Sequence, residues 1–135
     1  MTDDRTGTLP IKTERDVATA RMMVRSAAAA AGFGLTDVTR IVTAVSELAR
    51  NIVRFAGAGV VRWRPLDAGG RNGIEVIVED HGPGIPDIAR AMEEGYTTGG
   101  GLGMGLPGSK RLMDELEIQS EVGRGTTVTV RKWRR

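Results

Sequence analysis

From Val38 to Ala56, apolar residues recur every three or four positions: Val38, Ile41, Val45, Leu48, Ile52 and Ala56. That is the period of an amphipathic helix, and the spacing predicts one over 37–56, closed by Gly57. Projected at 100° per residue, these positions fall within a stripe about 80° wide. Glu47 and Asn51, one turn apart, lie about 60–100° from Leu48 on the flank that also holds Ala44. They point to the margin of the core, where a cleft between helix and sheet would open.

The other segments read less strongly but in a clear order. Residues 7–12 predict a short strand. An alanine-rich helix follows over 13–31, with Thr13 as N-cap, Gly32 as its stop, and Val17, Ala20, Val24 and Ala27–Ala28 at helical spacing. Strands are predicted over 60–66 and 73–79, the second alternating Ile74, Val76 and Val78 with Glu75, Ile77 and Glu79. Between them, residues 67–72 carry the Gly and Asn of a hairpin turn. A short helix is expected over 87–94, a second near 105–113, and two last strands over 116–122 and 126–133. The sequence β α α β β α α β β implies an α+β sandwich: a mixed β-sheet covered on one face by helices. One domain is expected over 1–135, with 1–6 and 134–135 frayed. Met22, Met23 and Trp63 read as packing residues.

Composition narrows the class. The chain has 135 residues, 40% hydrophobic and 27% charged, which excludes wholesale disorder. With aromatics at 4%, the core must rest on aliphatic side chains. There is no cysteine, so disulfides and thiolate metal sites are out. No apolar run approaches the roughly 18 residues of a membrane span, and the polar N-terminus does not resemble a signal peptide. A cytoplasmic protein without a membrane partner is the expectation. The formal charge is +2, and the terminal Arg131-Lys132-Trp133-Arg134-Arg135 holds much of the excess. Read as a last strand with a solvated outer face, that tail gives no reason to expect nucleic acid.

Two further segments carry chemistry. Asp80 leaves a buried strand at its C-terminal end and opens Asp80-His81-Gly82-Pro83-Gly84. A carboxylate placed there needs donors, and the exocyclic amine of adenine is one that guanine lacks at that edge. Gly82 and Gly84 let the loop bend flat beneath a base. Downstream, seven glycines fall among residues 95–108, a density that packing does not explain. Close backbone approach and a helix N-terminus behind it suit a phosphate cradle, with Pro107 in the first turn. Gly103 to Gly108 also matches the dinucleotide G-x-G-x-x-G, but no hydrophobic strand precedes it. Nor does Gly-Ser-Lys have the residue order of a P-loop, and the chain is too short for the protein-kinase fold. An asparagine amide oxygen can take one Mg²⁺ position while phosphates and water supply the rest. A glutamate one turn away can accept a hydroxyl proton. His81, the only histidine, has no partners for zinc. Arg50 and Arg54 share a face with Glu47 and Asn51 and read as solvated cations. Nucleotide-dependent phosphoryl transfer is the reading these segments support together.

The set resembles the GHKL (Bergerat) superfamily of ATPases and kinases, which includes gyrase, the Hsp90 chaperone and histidine kinases. The matching stretches are Glu47-Leu48-Ala49-Arg50-Asn51, Asp80-x-Gly82-x-Gly84, Gly101-x-Gly103-x-Gly105 and Gly123-x-Gly125-Thr126. Within it, the whole chain is similar to the small bacterial serine/threonine kinases of partner-switching stress pathways. The resemblance implies that Glu47 is the general base, Asn51 ligates Mg²⁺, and Asp80 binds the adenine amine with Thr126 assisting. Gly101, Gly103 and Gly105, with Leu106 beside them, would hold the phosphates of ATP under a lid over 96–103. That lid is far shorter than in gyrase-like members, which implies weak binding and fast exchange. The implied substrate is a serine or threonine on a STAS-domain stressosome protein. Release would then let the kinase activate a PP2C-type phosphatase. Alternatives are an anti-sigma factor kinase that sequesters a sigma factor, and a nucleotide-gated binding module without catalysis.

Overall fold

The computed structural model describes residues 5–92 and 102–135. Strand β1 (Gly7–Ile11) leads into helices α1 (Glu14–Ala30) and α2 (Leu35–Asn51), and a π-helical turn over Ile52–Ala56 extends α2. Strands β2 (Gly59–Ala68) and β3 (Arg71–Asp80) follow, then helices α3 (Ile88–Ala91) and α4 (Leu102–Leu112), and strands β4 (Glu115–Glu121) and β5 (Gly125–Trp133).

Local signals set the ends of α1. Thr13 Oγ1 accepts the Asp16 N–H at 3.3 Å, and Asp16 Oδ2 accepts the N–H of Thr13 in return, a closed capping box. Backbone N–H groups of Lys12 and Thr13 hold the Asp16 carboxyl below the usual aspartate value. At the other end Gly32, with φ +93°, donates to Ala29 O while Phe33 N–H reaches Ala28 O. That is the paired closure of a Schellman motif, which needs the left-handed residue glycine supplies. Helix α1 buries Val17, Ala20, Val24, Ala27 and Ala28. Met22 and Met23, expected to pack, lie outside this face and are 67% and 41% exposed; Trp63 is buried as expected.

The strands lie in the order β1-β2-β3-β5-β4, and every pairing is antiparallel. A mixed sheet was expected, and the observed pairings correct it. Two helices between β1 and β2 return the chain reversed, so these neighbours run opposite ways. Strand β4 does run parallel to β3, but β5 lies between them, so no parallel ladder forms. The β2–β3 turn is also tighter than expected. Ala68 pairs with Arg71 across Gly69 and Gly70, whose φ values of +59° and +82° suit a two-residue hairpin turn.

One face of the sheet supplies Val61, Ile74, Val76, Val78, Val128 and Val130 to a core completed by Ile41, Val45, Leu48 and Ile52. Buried Lys132 donates to Leu112 O at 2.9 Å, so a cation meets the C-terminal end of α4. The last two residues, expected to fray, are engaged: Arg134 N–H donates to Asn72 O, and Arg135 pairs with Asp114 at 2.8 Å.

The opposite face is a row of charge. Glu75 accepts from Arg64 at 2.7 Å and Arg131 at 2.8 Å, and Arg131 continues to Glu115 and Glu117. The guanidinium stems cover Glu75, leaving its side chain 3% exposed. Burial pushes its carboxyl up, but the two arginine hydrogen bonds outweigh this and its pKa lies below the usual 4.5. A depressed folded-state pKa stabilises above the unfolded value and loses that contribution as pH falls through the folded one. Glu75→Gln should therefore cost about 1–2 kcal/mol at pH 7 and progressively less on acidification below 4.5. Urea midpoints at pH 7 and at low pH measure this. Equal pH slopes for variant and wild type would remove Glu75 from the acid response.

Candidate nucleotide site

Asp80 is the last residue of β3, where the ladder with β5 has just ended at Glu79↔Thr127. Its Oδ1 accepts two backbone N–H groups, from Gly82 at 2.9 Å and Thr126 at 3.2 Å. Oδ2 has no partner among the described residues. Asp80 thus ties its own loop to β5 through one oxygen, and it lines a cavity of about 290 Å³.

That cavity lies between α2 and the sheet, at the core margin where the helical projection placed Asn51. Leu48, Phe55, Val78, Ile85 and Val128 form apolar walls; Asn51, Asp80 and Thr126 supply the polar groups. Leu106 closes another side and is itself buried. Few convergent polar groups in an apolar hollow is the usual make-up of a small-molecule site. The Asn51 amide makes no hydrogen bond among the described residues.

Close backbone contacts shape this hollow. A Cβ on Gly82 would stand 2.6 Å from Ala56 Cβ, and one on Gly84, at φ +80°, would stand 2.4 Å from Glu121 O. Gly125 is tighter still: at φ +129°, a Cβ would come within 2.1 Å of Asp80 O. Gly123 N–H donates to Pro83 O, fastening the β4–β5 turn to the Asp80 loop. Gly82, Gly84 and Gly125 are thus required by contacts with the π-helical turn, the end of β4 and the end of β3 respectively, not by turn geometry alone.

The π-helical turn was not expected. It begins directly after Asn51, and Gly57 N–H closes it on Ile52 O at 2.8 Å. The wider turn re-aims the residues past Asn51, and Phe55 and Ala56 line the cavity.

Glu47 lies one turn before Asn51 and does not line the cavity. Its Oε1 accepts from Arg50 at 2.8 Å, and Arg50 also meets Glu14 at 3.8 Å. His81 lies in a shallower polar cleft on the other side of Asp80, beside Glu79 and Arg124. Of the expected phosphate cradle, Gly101 and most of the lid lie outside the described residues. Gly103 and Gly105 fall in the first turns of α4, which begins at Leu102, earlier than expected. Pro107 is accordingly inside the helix and not in its opening turn, which removes one internal hydrogen bond from α4's start. Sequence reasoning passed over Phe55, the π turn and Ser120, whose hydroxyl touches Thr126 at 2.8 Å.

Residues 10–132 match the family described as the histidine kinase-like ATPase domain. The chain belongs to that family. ATP is therefore its nucleotide. It is 50% identical over 125 residues to the serine/threonine-protein kinase RsbT of Bacillus subtilis (strain 168), covering 93% of this chain and 94% of the relative. It is 35% identical over 120 residues to an anti-sigma F factor of Thermoanaerobacter sp. (strain X514), covering 84% and 82%. The fold matches the mycobacterial sensor histidine kinase MprB with a TM-score of 0.57 over 92% of this chain and 95% of that one, at 18% identity. Among the described residues, no helix of this ATPase-family chain is long and apolar enough to cross a membrane.

Proposed function

We propose that this serine/threonine-protein kinase works as a partner switch: it phosphorylates a STAS-domain stressosome protein and, once released, activates a PP2C-type phosphatase. The 50% identity with RsbT supports the switch, and the observation that carries its nucleotide chemistry is a cavity shared by Asn51 of α2, Asp80 of β3 and Thr126 of β5. At about 290 Å³ it suits a base more than a whole nucleotide, so the phosphates belong toward α4. In this reading Asp80 Oδ2 accepts the adenine amine with Thr126 beside it, and Gly82 and Gly84 keep the loop close under the base. Leu106 packs on the nucleotide, Gly103 and Gly105 give the phosphates close access to backbone amides at the positive end of α4, and Gly101 is assigned to the same phosphate-binding set.

The Asn51 amide has no hydrogen-bond partner among the described residues, which fits an oxygen ligand to Mg²⁺. Among those residues no group of three or more carboxylate or imidazole ligands gathers, so phosphates and water would complete its shell. Mg²⁺ would neutralise charge on the transferring phosphoryl group. Glu47, held by Arg50 through one oxygen, keeps the other for the acceptor hydroxyl proton. The phosphate left on the substrate would then stand near Glu47 and the nucleotide, and like-charge repulsion favours release. Such partners place the protein in the cytoplasm.

The identity with an anti-sigma F factor keeps the alternative of an anti-sigma factor kinase. Incubation with labelled ATP and STAS proteins tests the transfer that both readings share, and phosphatase stimulation against sigma-factor capture separates the two. Label on a STAS serine or threonine, loss of the complex and rising phosphatase activity are expected. Phosphorylated and unphosphorylated STAS protein binding equally well would refute the switch, and capture of a sigma factor would favour the alternative.

A further inference from the structure

Ser120, on β4 directly across from Thr126, makes three contacts with one hydroxyl. Its Oγ accepts the Ile85 N–H at 2.7 Å, lies 3.1 Å from Gly125 O, and lies 2.8 Å from Thr126 Oγ1. A backbone N–H can only donate, so Ile85 gives to Ser120. The one proton of Ser120 has two acceptors in reach, Gly125 O and Thr126 Oγ1, and either hydroxyl can be the donor between Ser120 and Thr126. Given to Gly125, that proton leaves Thr126 as the donor to Ser120, with its own lone pairs free.

We propose that Ser120 is a specificity-determining positioning residue, fixing the Thr126 hydroxyl as an acceptor toward the cavity. The inference rests on the reading that Asp80 meets the edge of the base. Asp80 Oδ1 is already occupied by two N–H groups, so Oδ2 and Thr126 Oγ1 are what remains. With Thr126 so turned, Asp80 and Thr126 present two acceptors on this side of the cavity. An amine brings two hydrogens to them, whereas a 6-oxo purine sets its carbonyl oxygen against lone pairs and has only its N1–H to give. Discrimination against the 6-oxo base thus depends on a serine that need not touch the nucleotide.

The test is calorimetric affinity of the full chain for ADP and for IDP, whose base carries the 6-oxo group. Wild type should prefer ADP. In Ser120→Ala the Thr126 proton is free to turn to the 6-oxo group, and the preference should fall about tenfold. A serine that only braces the loop would weaken both nucleotides together and leave the ratio unmoved. Ser120→Thr, which keeps the hydroxyl, should restore the wild-type ratio. In a Thr126→Val background the ratio should no longer respond to Ser120→Ala. Should Ser120→Ala not fold, Ser120→Cys carries the test, because a thiol is a weak donor and acceptor of similar shape. Wild type that discriminates, with a variant that discriminates equally, overturns the role of Ser120 alone. Wild type that binds ADP and IDP equally overturns the reading of Asp80, and this inference falls with it.

Discussion

Glu47→Ala is expected to slow phosphotransfer about 10²–10⁴-fold while affinity for Mg-ATP stays near wild type. The two effects separate because of where Glu47 lies. It is one turn before Asn51 and outside the cavity lining, so a bound base does not depend on it. A general base acts on the incoming hydroxyl, and Glu47 sits on the solvent side, where a protein substrate can approach. Removing it strips Arg50 of its 2.8 Å partner, but Arg50 keeps Glu14 nearby, and exposed pairs contribute about 0–1 kcal/mol. A general loss of fold is therefore not expected. Single-turnover transfer beside nucleotide titration reads both quantities. Near-normal transfer would exclude Glu47 as the base, and a matching loss of nucleotide affinity would make it a binding residue.

The second large effect is expected at Gly125. An alanine there must adopt φ +129° and place its Cβ 2.1 Å from Asp80 O, and neither backbone can yield without parting β5 from the end of β3. A loss of roughly 2–4 kcal/mol should follow. Folded protein should also bind ADP more weakly, because the Thr126 N–H that orients Asp80 sits on the next residue. Gly57 is the control. It also has positive φ, +84°, but a Cβ there meets open space, so Gly57→Ala should cost only about 1 kcal/mol. Urea denaturation of the pair decides. Equal losses would mean that backbone conformation alone, and not the contact with Asp80, requires glycine at 125.

The elements were legible in the sequence because their causes are local. A 3.6-residue period marked α2, period two marked β3, and Thr13 and Gly32 marked the ends of α1, each through bonds made within a few residues. The same projection put Asn51 at the cleft margin, since helical phase needs no knowledge of the rest of the chain. Charge alternation along β3 likewise showed Glu75 facing away from the core.

What the sequence could not decide involves partners far apart along the chain. The all-antiparallel order depends on which strands find each other, and β5's insertion beside β3 has no local marker. The π turn after Asn51 keeps the apolar pattern of a continuing helix, so periodicity could not reveal it. The need for glycine at 125 arises from a carbonyl 45 residues earlier, and Ser120 becomes informative only once β4 sets it opposite Thr126 and the loop brings it Ile85. A hydroxyl's hydrogen-bond role is assigned by all its neighbours at once, and tertiary packing chooses those neighbours.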